Sequence, residues 1–162
     1  MADFTVCIAE SASQRRRGLM HCPQLKTGTG MLFIYAQARP RVFWMKETPL
    51  ELAIIFISAD ARIAAIEKGT PASLSRIPSP GPIRQVLEIN FEEARGLQVD
   101  DSVQLIESNM PPLSFQFQSF RARILAEYGL VLKIGPGCRL DRARMTDGRS
   151  HRNRQLALAY SG

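Results

Sequence analysis

Residues 43–48 read FWMKET and hold the only tryptophan of the chain. Along an extended segment alternate side chains share a face. Val42, Trp44 and Lys46 therefore point one way, and Phe43, Met45 and Glu47 the other. A planar aromatic beside an ammonium group can hold a sugar ring, another aromatic or an anionic group. The alternative buries Trp44 under a neighbouring loop, with Lys46 extending its stem to water. A cation–π contact between the two at an exposed site contributes about 0.5–1 kcal/mol, enough to orient side chains but not to decide a fold.

Other residue types that can do chemistry are scattered. Arg15, Arg16 and Arg17 form either an anion-binding cluster at a helix end or a solvated helix face that complements the C-terminal dipole. His21 and Cys22 are adjacent, but neighbours in sequence rarely face each other as a nucleophile–base pair. Only His21 and His151 are available as imidazoles, which disfavours a histidine metal site. Glu47 and Glu51 have the types of an acid–base pair and equally suit polar turns. Gly28 and Gly30 lack the rest of a phosphate-binding fingerprint and follow a loop rather than a strand. The binding candidates are Arg15, Arg17, Trp44, Lys46, Ser73 and Arg84. No catalytic residue, metal set or cofactor is expected.

The elements that must position these residues are short strands. FTVCIA (4–9) reads as a first strand, and MLFIY (31–35), RVFWMK (41–46), LAIIFI (52–57), RIAAIEK (62–68), IRQVLEI (83–89) and SVQLI (102–106) follow. The run 52–57 is apolar on both faces and belongs inside a sheet. Ser11 or Ser13 suits the start of a helical turn near 11–17 that Gly18 ends. Asn90 suits the N-cap of a second short helix near 91–95. Residues 69–82, GTPASLSRIPSPGP, form a Pro/Ser/Gly-rich loop, and loops of that length inside a domain are often functional. The pattern predicts a mostly β sandwich or barrel with one or two short helices.

The chain has 162 residues and a formal charge of +6. Residues 1–106 carry 12 Lys/Arg against 11 Asp/Glu, net +1; residues 107–162 carry 9 against 4, net +5. The excess thus belongs to the last third and says little about the domain. That third ends in an arginine-rich run, with six arginines between 139 and 154 and no lysine, a composition expected to be poorly ordered. No apolar stretch is long enough to span a membrane, and the first residues lack a signal-peptide pattern. Three widely spaced cysteines, Cys7, Cys22 and Cys138, do not make a disulfide framework.

The runs RRRGLM (15–20), GMLFIY (30–35), FWMKET (43–48), IIFISADARIAAI (54–66), GPIRQVLEIN (81–90) and GLQVDDSV (96–103) together resemble the domain of unknown function family 192, also catalogued as uncharacterised protein family 0127. The resemblance covers residues 3–106. It implies a compact jelly-roll-like β-sandwich and a bacterial protein, many relatives of which carry an export signal; it implies no activity, substrate or cofactor. Arg15 and Arg17 match family positions and Arg16 does not. The chain departs from the family at Glu47 (Asn is usual), Ala53 (Asp), Ala61 (Gly) and Cys22 (Arg).

These readings give one β domain over 3–106 and a basic extension over 107–162. The first functional expectation is a non-catalytic binding or accessory module of the cell envelope. It would take a small molecule or saccharide in a shallow cleft bordered by Trp44, Lys46, Arg17 and the 69–82 loop. The alternatives are an enzyme of unknown reaction using the same cleft, and a binder of nucleic acid or an anionic surface through the arginine-rich tail, with no specific nucleic acid indicated. Without an export signal, the sequence as read from its first residue points to the cytoplasm.

Overall fold

A computed structural model describes residues 2–107 and 130–135. The described chain is mostly β. Its elements run β1 (Ala2–Ala9), α1 (Ala12–Arg17), β2 (Thr29–Arg39), β3 (Val42–Phe43), β4 (Leu52–Ile57), β5 (Ile63–Gly69), β6 (Ile77–Pro78), β7 (Ile83–Asn90), a 3-10 turn (Phe91–Ala94), β8 (Ser102–Glu107) and β9 (Leu130–Gly135). Seven strands form one sheet in the order β5-β4-β7-β2-β1-β9-β8, and β3 and β6 form a two-stranded ribbon. β1 and β2 pair in parallel, and every other neighbouring pair is antiparallel. The sheet curls until its outer strands approach at a single bridge, Arg62 to Ser102. It is not a closed barrel.

Strand alternation divides the core into two layers. Phe4, Val6, Leu32, Ala53, Ile55, Ile57, Ile63, Leu87, Ile89, Val103 and Leu132 pack inside the curl. Met31, Phe33, Leu52, Ile54, Phe56 and Val86 face the opposite way and are covered by Leu19, Cys22, Leu25, Phe43, Met45 and Leu50. Covering both faces is why all six residues of β4 are buried, as their continuous apolarity requires. Each large apolar side chain fully removed from water contributes roughly 1.5–3 kcal/mol.

Local signals behave as their chemistry demands, with instructive exceptions. Ser11 caps α1: its hydroxyl accepts from the Gln14 backbone N–H, and the Gln14 side chain returns to the Ser11 N–H. Asn90 makes no such cap. Its amide donates instead to the Leu25 carbonyl and to Glu93, tying the 19–28 segment to the sheet. The strand read at 41–46 shortens to Val42–Phe43, and the 69–82 loop contains its ribbon partner, Phe43 opposite Ile77. β9 falls within the stretch 107–162 read as a basic extension, and it lies between β1 and β8. The arginine-rich end lies outside the described residues.

Candidate functional site

The segment that carries Trp44 is pinned from beneath. The Phe43 ring meets Phe33 edge-on at 5.2 Å between centroids and Phe56 at 5.9 Å, an arrangement favoured by the ring quadrupoles. Met45 is 1% exposed and sits against Gly69, where an added Cβ would come within 2.5 Å of its sulfur. With Phe43 and Met45 held inward, Trp44 must face solvent, and it is 50% exposed. The buried alternative for Trp44 is thereby overturned: the 69–82 loop binds the edge of the segment instead of lying over its outer face. The Met45 N–H donates to the Ser73 carbonyl at 3.0 Å, and the Ala72 N–H to the Thr48 carbonyl at 2.9 Å.

The Lys46 ammonium lies 5.7 Å from the Trp44 ring centroid and 3.6 Å from the Glu47 carboxylate. That carboxylate also meets His21 Nε2 at 3.0 Å, while the His21 backbone N–H donates to the Glu47 carbonyl at 2.7 Å. Both His21 (φ 60°) and Glu47 (φ 54°) hold left-handed backbone, a conformation that costs most residues about 1–2 kcal/mol and that Asn adopts more readily. An Asn at position 47 would relieve that cost, as would a Gly at the following hairpin, where Ala61 has φ 58°.

The six sequence candidates divide. Trp44, Lys46 and the Ser73 backbone come together. The Ser73 hydroxyl accepts from the Ser75 N–H at 3.1 Å, a local turn. Arg15 lies elsewhere, 4.8 Å from the Tyr35 ring centroid. No hydrogen bond, ion pair or ring contact among the described residues joins Arg17 or Arg84 to Trp44 or Lys46. Cys22 is buried, its thiol donates to the Gln24 carbonyl, and burial pushes its pKa up; His21 turns to Glu47 instead. Glu51 pairs with Lys68 rather than with Glu47. Among the described residues no three His, Cys, Asp or Glu side chains are grouped as metal ligands. Gly30 serves packing, because a Cβ there would lie 2.6 Å from the Glu88 carbonyl oxygen.

Two features escaped the sequence reading. Glu88 is buried on the loop-covered face, and desolvation pushes its carboxyl up to about 8. Arg41 stacks on Tyr35 with its guanidinium carbon 3.8 Å from the ring centroid.

The family model for domain of unknown function 192, described as Uncharacterized ACR, matches residues 1–106. The chain belongs to that family. Two solved structures are similar to this DUF192 domain. One is a Sinorhizobium meliloti protein described as a candidate transcription regulator: 38% identical, TM-score 0.59, covering 61% of this chain and 79% of that one. The other is a Novosphingobium aromaticivorans protein of unknown function: 31% identical, TM-score 0.60, covering 61% and 73%. A search of the curated proteins finds no match.

Proposed function

We propose that this DUF192 protein is a non-catalytic binding module that receives a small ring-bearing ligand, such as a saccharide, on the Trp44–Lys46 surface. The observation that carries this reading is the half-exposed Trp44 ring beside the Lys46 ammonium, on a segment locked by buried Phe43 and Met45. A rigid aromatic face costs little conformational entropy on binding, and Lys46 adds a donor for a hydroxyl or an anionic substituent. The envelope is the compartment we assign, on the family's export habit. Trp44 is the single tryptophan, so its fluorescence reports the surface directly. Titration with neutral and acidic sugars should shift Trp44 emission saturably, and Trp44→Ala should remove binding measured by calorimetry while the domain stays folded. Unfolding of Trp44→Ala, or a flat titration across the panel, rejects the reading.

One observation favours an enzyme on the same surface. The His21–Glu47 pair, 3.0 Å apart and open to solvent, has the composition of an oriented general base. In that case His21→Gln would abolish turnover and leave binding intact. The name given to the Sinorhizobium relative raises nucleic-acid binding as a further reading, to be tested by the salt dependence of DNA binding by the full chain.

A further inference from the structure

At the end of β2 the chain gathers positive charge that no carboxylate among the described residues pairs with. The guanidinium carbons of Arg41 and Arg15 lie 3.8 and 4.8 Å from the centroid of one ring, Tyr35. Arg39 is near enough to Arg41 to oppose its protonation, as is Arg15. Like charges repel, so three arginines in one place call for a counter-charge. None of the three forms an ion pair with a carboxylate among the described residues; the ion pairs there engage His21, Lys46, Arg62, Lys68 and Arg95. Glu88 is the one carboxylate felt by Tyr35, and burial keeps it largely protonated at neutral pH.

The arginines are nevertheless held in place. Arg15 Nη1 donates to the Glu10 and Ile34 carbonyls. Arg41 Nη2 donates to the Gln37 carbonyl at 2.8 Å, and Arg39 Nη2 to the Gln37 side chain. Backbone carbonyls thus fix Arg15 and Arg41, and the Gln37 side chain holds Arg39, leaving other N–H groups for a ligand. The Arg41 Nε–H is the one buried side-chain nitrogen or oxygen among the described residues that has no partner. A buried orphan donor costs about 1–3 kcal/mol unless something occupies it. The Tyr35 ring supplies the face on which planar guanidinium groups stack.

We propose that Arg15, Arg39 and Arg41, arranged around Tyr35, form a binding site for a phosphate group, free or carried as a monoester on a small molecule. A tetrahedral dianion presents several oxygens to paired guanidinium donors, which is the geometry arginine serves best. It would also supply a counter-charge that no carboxylate among the described residues provides. The site does not rest on the Trp44 surface.

The test uses the full chain and two probes, inorganic phosphate and glycerol phosphate, by calorimetry in low salt. Saturable binding of at least one is expected. If glycerol phosphate binds much tighter than inorganic phosphate, the monoester is the ligand form; equal affinity assigns the free anion. Arg41→Gln should weaken binding by about tenfold or more. Arg41→Lys should be weakened too, because it keeps the charge and loses the fork. Lys68→Gln, which removes a cation already paired with Glu51, should bind as the wild type does. As a readout independent of heat, the Tyr35 phenol, assigned in NMR by its loss in Tyr35→Phe, should ionise at higher pH with phosphate bound, since the anion offsets the cations that favour phenolate. No binding of either probe to the wild type, equal binding by Arg41→Gln, or a Tyr35 titration unmoved by phosphate overturns the proposal.

Discussion

The two faces of the sheet are both buried, yet they are built differently. The inner face is closed by the curl of the sheet, mostly with side chains from its own strands: Leu32, Ile55, Leu87 and Ile89 meet Phe4, Val103 and Leu132. The outer face is sealed by segments without regular structure, the 19–25 and 43–50 stretches, held down by Phe43 and Met45. The fully buried side chains of the inner face are apolar. The outer one tolerates the carboxyl of Glu88 and carries, on the reverse of its cover, Trp44 and Lys46. The contrast teaches that one sheet can bury its two faces by different means, one with its own strands and one with a cover of connecting segments. A loop cover can display residues that a strand-built core has no room for.

The strongest challenge to that division is Leu87→Ala on the inner face. It should cost about 2–5 kcal/mol in urea unfolding, and it should leave ligand affinity of the surviving folded fraction unchanged. A loss of binding without loss of stability would mean that the faces are not separate.

The outer face should show its own signature in pH. Burial pushes the Glu88 carboxyl up to about 8 in the folded protein, against 4.5 for a glutamate in water. Between those values the folded state holds the proton and the unfolded state releases it. Stability therefore falls as pH rises through this window, by up to about 1.4 kcal/mol per pH unit, and levels off beyond either end. Glu88→Gln should remove the slope. Its melting temperature should exceed that of the wild type at pH 8 and converge with it below about pH 4.5. Parallel curves would place the Glu88 carboxylate in water and erase the contrast between the faces.

Smaller effects sharpen the picture at the turns. Ala61→Gly should stabilise by roughly 1 kcal/mol, because glycine adopts φ near 58° without penalty. Glu47→Asn should gain a few tenths of a kcal/mol, since asparagine tolerates left-handed backbone and the exposed pair with His21 adds little. Both are read in denaturant midpoints. Smallest of all should be Trp44→Ala, within about 0.5 kcal/mol, as for surface substitutions generally, despite its removing the most distinctive side chain of the family motif.

Much of this was legible in the residues. Alternation separated Phe43 and Met45 from Trp44 and Lys46 but left open whether Trp44 was buried, and it grouped Glu47 with the inward pair, where the structure exposes it because the strand ends at Phe43; continuous apolarity placed β4 inside the sheet. What alternation does not reveal is which face a non-strand segment will cover. Arg84, Val86 and Glu88 share a parity; Glu88 is buried and Arg84 is not, since only part of that face lies under the cover. The meeting of Tyr35 with Arg41 was hidden for another reason: the β2–β7 register shifts between Ile34 and Arg39, so spacing across that segment no longer reports proximity. β6 was hidden in a proline-rich loop because two residues of ribbon are too short to leave a period. β9 depends on a partner at the far end of the chain.

That last pairing also orders events in time. β2, β4, β5 and β7 lie side by side in the sheet and within 29–90 of the sequence, so they can assemble as soon as they emerge. β1 pairs with β9 through Ala2 opposite Ile134, and β8 reaches β1 only by way of β9. Contacts that span most of a chain close late and slowly. β1 is therefore enclosed on that side only once β9 has been made, and until then one of its edges stands open to a strand from another molecule.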